Sequence, residues 1–175
     1  MGWLDEVGAT VAAEFADFGD VAQITRIVVR LGLAALLGFA LGFEREQRGK
    51  AAGIRTHMLV AIGSALFVLV PQSSGIVAAD MSRVIQGLIA GVGFLCAGTI
   101  LKSGRDDQQV QGLTSAAGLW MTAAIGLACG LGREMMAVLS TLLALAVLSL
   151  MPRLVGLVER ALGEPHDRET TPPER

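Results

Sequence analysis

The chain has 175 residues, 53% hydrophobic, 17% charged and 5% aromatic, with a formal net charge of −2 and a mean hydropathy of +0.59. One domain fits that length, and a charge content below the ~25% usual for soluble domains excludes an ordinary soluble enzyme. The charge balance leaves no bulk footprint for nucleic acid, and the apolar content excludes disorder except at the ends.

Residues 1–23 carry acids at Asp5, Glu6, Glu14, Asp17 and Asp20 and no Lys or Arg, so they lack the basic start of a signal peptide. Leu4, Val7, Val11, Phe15, Phe18 and Ala22 recur at steps of three or four, which fits one face of a helix. Trp3 suits an interface anchor. An anionic cytoplasmic leaflet repels the acidic opposite face, which agrees with an external amphipathic segment. A flexible polar arm is the other reading.

Five uncharged runs follow. The first, 31–43, is short, and extends back through 27–29 if Arg30 reaches the headgroups. The second is 56–79, with its apolar part, 56–70, ending at Pro71. The third is 84–101, the fourth 108–132 and the fifth 135–152. A spanning helix needs about 20 mostly apolar residues. The last three runs qualify alone, and the first two need tilt or snorkelling ends. The fold predicted for 24–162 is all-α, a bundle of five transmembrane helices in a lipid bilayer. The Pro- and charge-rich tail, 163–175, is predicted to be a disordered cytoplasmic segment.

Basic residues argue against reducing the first run to an interfacial helix. With five crossings, Arg45, Arg48, Lys50, Arg55, Lys102, Arg105 and the four tail arginines share one side, which is ten of the 14 Lys and Arg. The positive-inside rule then places the N-terminus outside and the C-terminus in the cytoplasm.

Small residues recur at spacing four. Gly38 and Gly42 do so in the first run, Gly87 and Gly91 in the third, and Thr114, Gly118, Thr122, Gly126 and Gly130 in the fourth. Such rows let helix backbones approach in lipid. Gly91, Gly98, Gly118, Thr122, Gly126 and Gly130 form the predicted packing or partner face. It serves internal packing, self-association as a homo-oligomer, or docking of another membrane protein. The fifth run has no such row, so Ala137 is expected to face lipid or a loose contact.

No Asp, Glu, Lys or Arg lies deep in the second to fifth runs, which weakens a pump or proton-coupled carrier. No nucleophile–base set or Cys/His cluster occurs, so no catalytic residue, cofactor or metal site is assigned. Charged groups concentrate at the boundaries instead. Glu44, Glu46, Arg55 and His57 meet at the inner end of the first hairpin, and Asp80 and Arg83 lie on the outer side. The inner set reads as a salt-bridged lock, with Glu44 pairing a nearby cation such as Arg55, or as a carboxylate site for a hard divalent cation. On the outer side, Asp80 and Arg83 are expected to pair with Arg26 or Arg30. Helix directions put Cys96 and Cys129 at depths about 20 Å apart, beyond the ~7 Å reach of a disulfide.

The ordered motifs resemble the MgtC/SapB family of bacterial inner-membrane proteins. They are Gly42-Phe43-Glu44-Arg45-Glu46, Gly53-Ile54-Arg55-Thr56-His57 with Leu59-Val60, and Asp80 with Arg83. Next come the run from Gly91 to Ile100, Gly112-Leu113-Thr114-Ser115-Ala116-Ala117, and Trp120, Thr122 and Gly126. Met81, Cys96 and Gln111 depart from the family pattern. The resemblance implies a five-span protein tied to growth in low magnesium and, for its best-known members, a virulence role. It also implies a partner, the F-type ATP synthase, which such members are thought to restrain. The chain looks like a short form, without the cytoplasmic ACT-like domain of longer members. Two functions remain: a non-enzymatic regulator linked to magnesium homeostasis, or an oligomeric transporter or channel for magnesium or another cation.

Overall fold

The computed structural model describes residues 2–14, 20–75, 77–103 and 112–162. All regular structure among them is helical: α1 (Trp3–Glu14), α2 (Val21–Gln47), α3 (Ile54–Ser73), α4 (Ala78–Ser103), α5 (Leu113–Gly130) and α6 (Glu134–Leu162). The five helices from α2 to α6 are each long and apolar enough to cross a membrane. The predicted tail, Arg105 and Gln111 lie outside the described residues, as do Phe15 and Phe18 of the N-terminal stripe.

Helix α1 carries Leu4, Val7 and Val11 of the predicted stripe, whereas Ala22 belongs to α2. Its Trp3, Leu4, Val7 and Val11 are exposed, and α1 touches no other described helix. Asp20 then starts α2, its side chain accepting from the Ala22 N–H at 2.9 Å. That bond satisfies one of the backbone donors a helix start leaves open.

Two helices continue through the prolines that close their apolar runs. Pro71 and Pro152 lie inside α3 and α6, which continue to Ser73 and Leu162. A proline removes one N–H and spoils one bond to the carbonyl four residues back. Near the end of α3 few further bonds are at stake. In α6 a full two turns of helix follow the proline.

Helix α5 is the centre of the bundle. It packs against α2, α3, α4 and α6, whereas α4 meets only α3 and α5. One core cluster joins Ala34, Leu37 and Leu41 of α2 to Ala61 and Ala65 of α3, Ile125 and Cys129 of α5, and Ala137 of α6. A second joins Ala52 to Val92 and Cys96 of α4 and Ala116, Leu119 and Ala123 of α5. The two cysteines are free and buried, and they sit in different clusters. Ala137 is 0% exposed, which corrects its expected place toward lipid. The turn between α5 and α6 explains this. Gly132, at φ +74°, lets α6 reverse directly onto α5 and α2, a backbone state that favours glycine.

Candidate functional site

The site grows from the buried stripe of α2. Ala34, Leu37, Gly38, Leu41, Gly42 and Arg45 form its inward face at helical spacing. The stripe ends on a charge. Arg45 is 3% exposed and points into the bundle with the apolar residues that precede it. Its Nη2 donates to Ser115 Oγ on α5 at 3.3 Å.

His57 enters the same layer from the first turn of α3 and is 1% exposed. Its Nδ1 lies 2.8 Å from Thr122 Oγ1 on α5. That hydroxyl is also 2.9 Å from the Gly118 carbonyl, to which it donates. A hydroxyl carries one hydrogen. With that hydrogen on Gly118 O, Nδ1–H is the donor to Thr122. Gly118 lies beside the imidazole, where even a Cβ would stand 3.7 Å from His57 Cε1, in ordinary contact.

Glu44 completes the layer. Arg48 Nε is 2.6 Å from its Oε1, and Arg45 Nη1 is 3.9 Å from its Oε2. These ion pairs bring charges together without aligned hydrogen bonds. Both Glu44 oxygens, Arg45 Nε and His57 Nε2 are shielded from solvent with no hydrogen-bond partner. Unsatisfied buried groups of this kind are costly and mark a functional candidate in a membrane.

Several expectations change here. Glu44 pairs within its own helix, with Arg45 and Arg48, and does not pair with Arg55. Arg55 is exposed. The hairpin is therefore not held by a Glu44 salt bridge. Glu46 Oε2 instead accepts from the Ile54 N–H at 2.8 Å, capping α3 across the turn. The N-cap residue, Gly53, has no side chain to do so. A carboxylate at a helix N-terminus also meets the positive end of the helix dipole. Both inner carboxylates are thus engaged. No group of three His, Cys, Asp or Glu able to hold a metal occurs among the described residues.

The opposite end is also rearranged. Asp80 and Arg83 pair with each other at 3.5 Å, one turn apart on α4 and exposed. Arg26 lies 4.0 Å from Asp20, and Arg30 3.7 Å from Glu134. Arg30 Nη1 further donates to Gln72 Oε1 at 3.1 Å and to the Gly130 carbonyl at 3.0 Å. Arg30 therefore ties α2 to α3, α5 and α6, and the predicted link from Arg26 or Arg30 to Asp80 is absent.

The predicted glycine face divides. A Cβ on Gly126 would run into the Ala61 carbonyl, and one on Gly130 would meet Ala65 O at 2.6 Å. Around Gly91 and Gly98 a Cβ would meet nothing within 4 Å. Sequence reasoning missed Arg45 and Ser115 as partners. The signal for Arg45 was its register: it continues the Ala34–Gly38–Leu41 steps. No such signal marks Ser115.

A family model described as the MgtC family matches residues 31–157. The chain is 41% identical over 134 residues to the putative magnesium transporter YhiD of Escherichia coli K12, covering 73% of this chain and 61% of that protein. It is 45% identical over 137 residues to SrpB of Synechococcus elongatus, covering 71% and 74% respectively. It is 44% identical over 128 residues to MgtC of Brucella abortus, covering 72% and 51%. The matched region thus spans about half to three quarters of these relatives. No solved structure matches. Five apolar helices and a family match across all of them make this a multi-pass membrane protein, and the chain belongs to the MgtC family.

Proposed function

We propose that the chain is a non-enzymatic regulator in the bacterial inner membrane, linked to magnesium homeostasis and growth in low magnesium. One observation carries the regulatory part. Helices α3 and α5 touch backbone to backbone at Ala61–Gly126 and Ala65–Gly130, and the surrounding core is filled by Ala34, Leu37, Leu41, Ile125 and Cys129. A bundle closed across its middle suits a protein that acts by contact rather than by conducting. The lipid-level face of α4 remains open for another membrane protein. By family resemblance, the F-type ATP synthase is one such partner. Magnesium enters through the family and through the name of the Escherichia coli relative.

A transport reading has its own support. The layer of Glu44, Arg45 and His57 leaves polar atoms unpartnered inside the bundle, and the same relative is named a putative magnesium transporter. Against it, the guanidinium groups of Arg45 and Arg48 already face Glu44, and a divalent cation there would meet their repulsion. Magnesium flux into proteoliposomes separates the readings. The regulator gives no protein-dependent flux above empty liposomes, and saturable flux overturns it. The proposed orientation, N-terminus outside and C-terminus cytoplasmic, is tested separately. A reporter fused after Arg175 should read cytoplasmic, and a periplasmic signal reverses the assignment.

A further inference from the structure

Helices α2 and α3 form a hairpin that is shut at its turn and open at its other end. Near the turn, a Cβ on Gly42 would stand 2.6 Å from Ile54 Cα, and one on Gly38 would stand 2.8 Å from His57 O. The backbones touch there only because both residues are glycine. Toward the start of α2 no glycine faces α3, and longer side chains line the space between the helices. The resulting cleft has a volume of about 420 Å³ and is lined by Gln23, Arg26, Ile27 and Arg30 of α2 and Leu69, Gln72 and Ser73 of α3.

The lining is rich in donors and holds no carboxylate. Arg30 fixes the orientation of Gln72, because its Nη1 donates to Gln72 Oε1. The amide NH₂ of Gln72 is thereby left to donate elsewhere. Arg26 makes one local bond, from Nε to the Ala22 carbonyl at 3.2 Å. Its Nη2 is only loosely placed, at 4.0 Å from exposed Asp20. Asp20 and Glu134 balance the two arginines from outside the lining. Ile27 and Leu69 supply the apolar part of the lining, and Val28 and Val70, next to them in sequence, are exposed. The cleft also sits where α2 begins and α3 ends, and the ends of spanning helices are where headgroups are met.

We propose that this cleft binds a phosphate ester, gripped by Arg26, Gln23 and Gln72 and backed by Arg30, with Ser73, whose hydroxyl donates to the Val70 carbonyl at 2.8 Å, forming part of the wall. Guanidinium and amide donors match phosphate oxygens. The volume lies within the ~300–1,000 Å³ usual for small-molecule sites, more than a bare phosphate ion fills. The ester is either the headgroup of an anionic phospholipid, with its acyl chains along Val28 and Val70, or a soluble phosphate ester of similar size. Neither the regulatory nor the transport reading is needed for this site.

The test uses the full chain purified in maltoside detergent. Dioctanoyl-phosphatidylglycerol and glycerol 3-phosphate are titrated separately, with binding read by native mass spectrometry and calorimetry. The expected result is saturable binding of one probe per chain. Tight binding of the lipid without competition by glycerol phosphate assigns the headgroup, and binding of glycerol phosphate alone assigns the soluble ester. Arg26→Gln should weaken binding about tenfold, the scale of one lost charge-assisted bond. Ser73→Phe should abolish it by filling the cleft without changing charge. Arg133→Gln removes an exposed cation beyond the lining and should leave binding unchanged. Arg26 is itself exposed, and elution of each variant as a single species checks its fold. The proposal is overturned if neither probe saturates, if both cleft variants bind as the parent does, or if Arg133→Gln weakens binding as much as Arg26→Gln.

Discussion

Helices α4 and α5 carry the same sequence signal with opposite outcomes. Each has glycines at spacing four on an apolar helix: Gly87 and Gly91 in α4, Gly126 and Gly130 in α5. In α5 they seat the helix directly on the backbone of α3. In α4 Gly87, Gly91 and Gly98 face open space, while the helix buries Val92 and Cys96 against α5. The difference lies in position. Half of the α5 apolar window is buried, against 6% for α4. A row of small residues therefore marks where a helix can be approached, and the neighbours decide whether it is.

The largest expected effect tests the buried row. Gly126→Leu should eliminate monodisperse protein on size exclusion, because the clash is with α3 backbone that has no rotamer to yield. The cost should exceed the ~1–3 kcal/mol usual for overpacking. Recovery of folded protein in normal yield would show that α3 and α5 do not meet at Ala61.

Ala137→Leu comes next, at roughly 1–3 kcal/mol of destabilisation in thermal unfolding. Ala137 is enclosed by the α2, α3 and α5 core residues. A change at exposed Leu139 serves as the control. If the two positions respond alike, α6 is not seated as described.

A smaller effect concerns the polar layer between α3 and α5. In a double-mutant cycle, His57→Leu and Thr122→Val should show coupling of about 0.6 kcal/mol and at most ~1.7, the range for hydrogen bonds between membrane helices. Additive losses would remove the 2.8 Å contact from the account.

The smallest effect is on α4. Gly91→Leu and Gly98→Leu should each change stability of the isolated chain by less than ~0.5 kcal/mol. Collapse of either variant would mean that this face is covered, and chemical cross-linking would then show by what.

The inner end of the bundle shows how far residues could be read without coordinates. The clustering of Glu44, Glu46 and His57 at the inner end of the first hairpin is legible in the sequence. Their partners are not. Glu46 reaches Ile54 across a turn, and Glu44 turns back to Arg48. Arg55 offers the same charge to Glu44 in sequence and points away from the bundle. Charge type and spacing nominate many pairs of similar Coulomb energy. Helix rotation selects among them, and rotation is set by packing along the whole helix.

The sequence by itself determined the number of spans, their order and the all-helical class. Those follow from the cost of unpaired backbone groups in lipid, which permits only helices of sufficient apolar length in a chain with this pattern. Tertiary structure alone decided which helix is central, which glycines touch backbone, that Ala137 is buried, and that His57 meets Thr122. In lipid, apolar residues gain little by leaving one hydrocarbon environment for another, so hydropathy does not distinguish a buried face from a lipid-facing one. Shape does: Gly126 fits Ala61 and Gly130 fits Ala65, and that complementarity exists only once two helices lie side by side.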